Sequence, residues 1–121
     1  LPALIKAQRI QEKAANAGFD WEERAQVWDK VKEEISEVDA EAIAGNSEAL
    51  ESEFGDLFFS LVNAARLYGI TPENALEKTN KKFIRRFSHI ETETAEAGKK
   101  LNELTLAEMD KLWNEAKKLE K

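Results

Sequence analysis

Helix breakers are few and widely spaced in this chain, with only two prolines and five glycines among 121 residues. Between them apolar residues recur at every third or fourth position and almost nowhere alternate, so the elements open to the chain are helices. The first helical stretch covers about residues 2–17, with Pro2 in its first turn and Gly18 beyond its end. The second covers about residues 22–44 and meets a left-handed stop at Gly45 and Asn46. Ser47 is placed to cap a third, about residues 47–68, closed by Gly69. Thr71 and Pro72 open a fourth that reaches about residue 97, and Thr105 with Glu108 forms a capping box for a fifth. Connections this short favour antiparallel neighbours, so the expectation is an all-α, antiparallel bundle of four to five helices, with residues 1–121 as one domain. The opening Leu1-Pro2, without methionine, suggests that this domain is part of a longer chain.

Composition narrows the chemistry. There is no cysteine, which excludes disulfide frameworks, thiolate zinc sites, iron–sulfur clusters and cysteine nucleophiles. The single histidine, His89, excludes His-rich metal sites and is read as a surface or subunit-contact residue. Eighteen basic against 24 acidic residues leave a net charge of −6, which argues against a protein that grips nucleic-acid polymers by neutralising phosphates. A small anionic ligand stays possible, because a divalent cation can stand between protein carboxylates and phosphate oxygens. No apolar run approaches the roughly 20 residues of a membrane span, and no signal segment opens the chain, so a cytoplasmic location away from membranes is expected.

The informative carboxylates lie beside apolar stripes. On a helical wheel Val27, Val31, Ile35, Val38 and Ala42 define the stripe of the second helix, with Glu34 at its edge and Glu37 one turn along. An ionised carboxylate at that place is costly unless it is paired or ligated. The third helix repeats the pattern, with Leu50, Phe54, Leu57, Phe58, Leu61 and Ala65 as the stripe and Glu53 and Asp56 on its flank. A hairpin turning at Gly45 and Asn46 brings both pairs to one point. Gly55 between the second pair costs a helix interior about 1 kcal/mol relative to alanine, which a closely approaching backbone or ligand would offset. Four converging carboxylates call for protonation or a hard cation, and an all-oxygen donor set points to Mg²⁺, or to Mn²⁺ as a substitute. Chance spacing of glutamates on a solvated face is the competing reading.

Positive charge sits further along the chain. The fourth helix directs Leu76, Phe83, Phe87 and Ile90 to the core and carries Lys82 and Arg86, four residues apart, on one flank. Such a pair can grip a polyphosphate, although basic helix surfaces are commonly just solvated. Asn80 falls in the apolar stripe, where a buried amide must serve either a structural network or a ligand. Trp113 and Lys117 could put a ring and a cation on one ligand, while Trp113 also fits an ordinary core with Leu106, Met109 and Ala116. Trp21 and Trp28 read as packing residues.

Taken together, Glu33-Glu34-Ile35-Ser36-Glu37 followed by Glu53-Phe54-Gly55-Asp56 resembles the EExxE…ExxD signature of the all-α nucleoside triphosphate pyrophosphohydrolases, and specifically the MazG family. The blocks Ala7-Gln8-Arg9-Ile10-Gln11-Glu12-Lys13, Gly18-Phe19-Asp20-Trp21, Thr79-Asn80-Lys81-Lys82-Phe83 and Arg85-Arg86-Phe87 extend the resemblance over nearly the whole chain. The resemblance implies a MazG-like fold working as a homodimer, and a hydrolase that converts ribo- or deoxyribonucleoside triphosphate and water to monophosphate and pyrophosphate with Mg²⁺. It implies Glu34, Glu37, Glu53 and Asp56 as metal ligands, Glu33 as the accompanying acid, and Lys82, Arg86, Trp113 and Lys117 as nucleotide contacts. The loop at residues 45–50 is shorter than in some relatives. A di-iron carboxylate bundle is excluded, because position 86, three before His89, is Arg. A helical dimerisation or adaptor module with an acidic surface ridge is the non-enzymatic alternative.

Overall fold

A computed structural model of the chain describes residues 1–120, and among these every regular element is helical. The order is α1 (Ala3–Asn16), α2 (Val27–Ala44), α3 (Ser47–Leu67), α4 (Pro72–Glu96) and α5 (Leu106–Leu119), with single 3₁₀ turns at Arg24–Gln26 and Leu101–Glu103. The all-α expectation holds. None of these helices is long and apolar enough to cross a membrane.

The second helix begins later than its sequence pattern suggests, at Val27 rather than residue 22. Glu23 and Gln26 pair reciprocally, the Gln26 side-chain oxygen accepting the Glu23 N–H at 3.0 Å, and this local closure takes up residues that could have extended the helix. Its far end is as expected: Gly45 adopts φ +76°, the left-handed conformation that a side chain resists, and its N–H closes on the Glu41 carbonyl. The cap of α3 is Asn46 rather than Ser47, with the Asn46 Oδ1 accepting the Ala49 N–H at 3.2 Å. Thr105 and Glu108 form the anticipated capping box of α5.

The chain forms two units. The first, Leu1–Ala75, holds α1 to α3 and the first turn of α4. Its two-residue turn folds α2 back along α3, and α1 packs on α3. The core here is small: Val27, Val31 and Ala64 are buried, with Leu57 and Leu67 against them. Much of the anticipated stripe is therefore not core within the protomer. Ile35, Phe54, Phe58 and Leu61 are exposed, while Ser60, Val62 and Ala64 are the buried residues of α3. The second unit begins at Leu76 and comprises the rest of α4 and α5. Ile90, Thr94 and Ala116 are buried in it, whereas Leu76 and Phe83 are more than half exposed.

Gly55 meets no close neighbour: a Cβ built there has nothing within 4 Å, so the close approach anticipated for it is not made by this chain. Gly55→Ala is expected to stabilise the isolated protein by about 1 kcal/mol through helix propensity. Urea unfolding would read this as a higher midpoint, and a lower one would mean that the space is needed.

Candidate metal and nucleotide site

Three of the four flanking carboxylates meet. Glu34 and Glu37 on α2 and Glu53 on α3 each offer an oxygen, and these oxygens lie within 4.8 Å of one another. The hairpin explains the meeting: a turn that closes on Gly45 sets the i, i+3 pair of α2 across from the start of α3.

Glu34 is buried more deeply than the wheel suggested, 4% exposed beside the buried Val31. Its Oε1 is 3.0 Å from the Lys30 ammonium one turn back, and its Oε2 is buried without a hydrogen-bond partner. The Oε2 of half-buried Glu53 is likewise unpartnered. Crowding of like charge shows in the titration of Glu53, whose pKa is pushed up to about 6. The causes are, first, a hydrogen bond shared with Glu37, then desolvation, then repulsion from Glu37, Asp56 and Glu34. Lys30 is held above its ordinary range, chiefly by its hydrogen bond to Glu34.

Two acidic residues stand outside the trio. Asp56 is solvent-exposed, close enough to repel Glu53 but not part of the three-oxygen group. Glu33 faces solvent, 3.6 Å from the Lys30 ammonium. Consecutive positions on a helix point about 100° apart, so adjacent Glu33 and Glu34 do not share one target. Two orphaned carboxylate oxygens in an all-oxygen group, with one member's pKa raised by its neighbours, fit a hard divalent cation; they are poorly satisfied by protein alone.

A cleft of about 710 Å³ adjoins this group, with Glu34 and Asp56 in its wall. That is ample for a small organic ligand. Phe19, Trp21 and Phe59 give it aromatic surface, and Ile10, Ala14 and Val27 give it aliphatic surface. Its polar wall contains an ordered chain: Asp20 accepts from Arg66 at 2.7 and 3.3 Å, and the Arg66 Nε donates to the Asn63 Oδ1 at 2.9 Å. The Arg66 hydrogen bond is the main reason the Asp20 carboxyl lies below its usual range.

Trp21, expected to be a packing residue, is partly exposed and lines this cleft instead. Trp28 instead donates its indole N–H to the Tyr68 hydroxyl at 2.9 Å. Lys30, Gln11 and Asn63 were not anticipated in a site. Lys30 was findable, being four residues before Glu34; Gln11 and Asn63 carry no signal in helical spacing.

The remaining candidates belong to the second unit. Asn80, expected in an apolar stripe, is exposed on α4, as are Lys82 and, on α5, Lys117. Arg86 forms a forked pair with Glu120 at 2.9 and 3.1 Å and lies over the Trp113 ring, 5.2 Å from its centre. Trp113 also packs on Phe83 at 5.3 Å. Arg86 thus meets Trp113 across two helices, and its guanidinium already holds a carboxylate. His89 is partly buried, with its Nε2 unpartnered.

Holding three carboxylates together without a cation should cost folding stability as they ionise. Because the folded state raises the Glu53 pKa from 4.5 to about 6, its contribution is fully present below the lower value and is lost as pH rises through the upper. In chelator, the melting temperature of the parent should therefore fall across that window relative to Glu53→Gln. A divalent cation should restore the parent and not the variant; equal melting curves would mean that the carboxylates do not interact.

Comparison with known proteins points in one direction. Residues 22–91 match the MazG nucleotide pyrophosphohydrolase domain. The chain is 42% identical over 117 residues to the nucleoside triphosphate pyrophosphohydrolase/pyrophosphatase MazG of Thermotoga maritima, covering 97% of this chain and 45% of that protein. It is 44% identical over 122 residues to the nucleoside triphosphate pyrophosphohydrolase of Escherichia coli K12, covering 99% of this chain and 46% of that protein. An uncharacterized protein of Bacillus subtilis, YabN, is 57% identical over 72 residues, covering 60% of this chain and 15% of that protein. The chain thus spans less than half the length of these relatives.

Proposed function

Because this chain belongs to the MazG nucleotide pyrophosphohydrolase domain family, we propose that it hydrolyses nucleoside triphosphates, ribo or deoxyribo, to the monophosphate and pyrophosphate. The observation that carries this reading is the meeting of Glu34, Glu37 and Glu53, with Glu34 also in the wall of a cleft with aromatic sides. The acidic group suits a cation and the triphosphate it would bind, and the cleft suits an aromatic base. An adaptor module with a merely solvated acidic ridge leaves the burial of Glu34 unaccounted for.

In this reading Glu34, Glu37 and Glu53 hold Mg²⁺, and Asp56, at the cleft wall, completes the acidic set. When bound, the cation would neutralise triphosphate oxygens and lower the pKa of a water aimed at the α-phosphorus. Attack there breaks the bond from the α-phosphorus to its bridging oxygen, and pyrophosphate leaves. Whichever carboxylate of the group is not taken up by the cation accepts the water's proton. Lys30 brings a positive charge to the wall that Glu34 also lines. Lys82, Arg86 and Lys117 are assigned to the departing phosphates and Trp113 to the nucleotide, on their match to the family, and Asn80 is assigned to the nucleotide as an amide able to read a ligand. For Arg86 this assignment requires exchange of the Glu120 carboxylate for phosphate oxygens, a like-for-like swap of forked partners.

We assign the exposed apolar residues of α3, Phe54, Phe58 and Leu61, to contact with a second copy of the chain, in keeping with a homodimer. Replacing Phe58 with Glu should shift sedimentation from dimer to monomer, and an unchanged dimer would place the interface elsewhere. For the reaction, incubation with each common nucleoside triphosphate and Mg²⁺ should release pyrophosphate and monophosphate. Glu53→Ala should lose at least about a hundredfold in rate. Orthophosphate with a diphosphate product would overturn the assigned bond.

A further inference from the structure

Gln11 is the most deeply buried polar residue of α1, 6% exposed, and it lines the cleft. Its amide nitrogen donates to the Phe59 carbonyl at 2.9 Å. A carbonyl only accepts, so the amide cannot be turned over, and the oxygen must be the group facing away from Phe59. That oxygen is buried and has no hydrogen-bond partner. A buried acceptor is seldom left unpaired, and one left so in the wall of a cleft points to a donor supplied by a ligand.

Asn63 is set to the opposite polarity. The Arg66 guanidinium, which has only donors, donates to the Asn63 Oδ1, and Arg66 is itself held by Asp20. The Asn63 oxygen is thereby engaged, and its amide N–H groups are what it can offer to the cleft. Each amide is thus locked by a partner incapable of the reverse role. The unpartnered Gln11 oxygen is thus free to accept from a ligand, and the Asn63 N–H groups are free to donate to one.

We propose that Gln11 and Asn63 read the hydrogen-bonding edge of the nucleobase, Gln11 accepting from an N–H and Asn63 donating to a ring nitrogen or carbonyl. This inference rests on the pyrophosphohydrolase reading only for the identity of the ligand as a nucleotide. Every common base presents both a donor and an acceptor on its pairing edge, so this pair admits all of them and rejects a ring lacking either. For adenine the assignment is unambiguous, because the only N–H of a glycosylated adenine is its 6-amino group. That group is the donor Gln11 accepts from.

The test compares ATP with purine riboside triphosphate, which lacks only the 6-amino group. The parent should favour ATP in kcat/KM by at least about tenfold, and Gln11→Met, which keeps the side chain's bulk, should bring the ratio close to one. Asn63→Asp keeps the oxygen for Arg66 and removes the donor. It should lower kcat/KM for ATP relative to base-free ribose 5-triphosphate by about tenfold. Ratios between two substrates on one preparation do not change with the fraction of folded protein. A parent indifferent to the amino group, or a Gln11→Met protein that keeps the preference, would overturn the inference. Calorimetry with adenosine monophosphate and purine riboside monophosphate repeats the comparison without turnover. A Gln11-dependent preference in binding by a protein that cleaves no triphosphate would sink the hydrolase reading and leave the edge reading standing, whereas equal binding would sink the latter.

Discussion

Glu34 is a carboxylate buried against the small core of α2 and α3, next in space to two others, and the character of this protein follows from how that burial is tolerated. One oxygen has the Lys30 ammonium; the other has nothing. A buried charge with half its hydrogen-bonding capacity unused opposes folding, and the nearby Glu37 and Glu53 add repulsion. The chain accepts a proton on Glu53 at higher pH than a free glutamate would, which relieves the repulsion in part. A cation of charge two would relieve it more completely. A helix hairpin needs no such arrangement for its own stability, so the acidic group is best understood as a binding feature that the fold carries at some cost.

The same residue ties the acidic group to the neighbouring cleft, because Glu34 is part of both. Their chemistries divide cleanly. Around the glutamates the donors are oxygens; in the cleft the surface is aromatic and aliphatic, crossed by amides whose direction is imposed by their neighbours. The amide of Gln11 is set by a backbone carbonyl of α3, and that of Asn63 by an arginine three residues along the same helix. Fixing the polarity of a neutral side chain this way adds no charge to the cleft, which suits a chain of net charge −6 under the proposal that its ligand is an anionic nucleotide.

How far the sequence could be read depended on the range of the interaction involved. Capping at Thr105 and the left-handed stop at Gly45 are local hydrogen-bonding and steric matters, and both were legible. The start of α2 was not, because Glu23 and Gln26 form a closed local turn that competes with the helix. Wheel arithmetic located the apolar sides of the helices but not what covers them. Ile35, Phe58 and Phe83 lie on those sides and remain exposed in the protomer. Periodicity reports that a face avoids water and is silent about its partner.

Residue type and spacing along the chain determined the all-helical class, the hairpin between the two acidic helices and the identity of Glu34, Glu37 and Glu53, because 3.6-residue periodicity and i, i+3 adjacency are properties of one helix at a time. Tertiary packing alone decided that Glu34 would be nearly inaccessible, that Asp56 would stand at the edge of the acidic group, and that Gln11, in the wall of a cleft, would keep a buried oxygen without a partner. Each of these depends on which atoms of a second helix arrive opposite the first. A separation of 48 residues, as between Gln11 and Phe59, leaves no mark on local pattern.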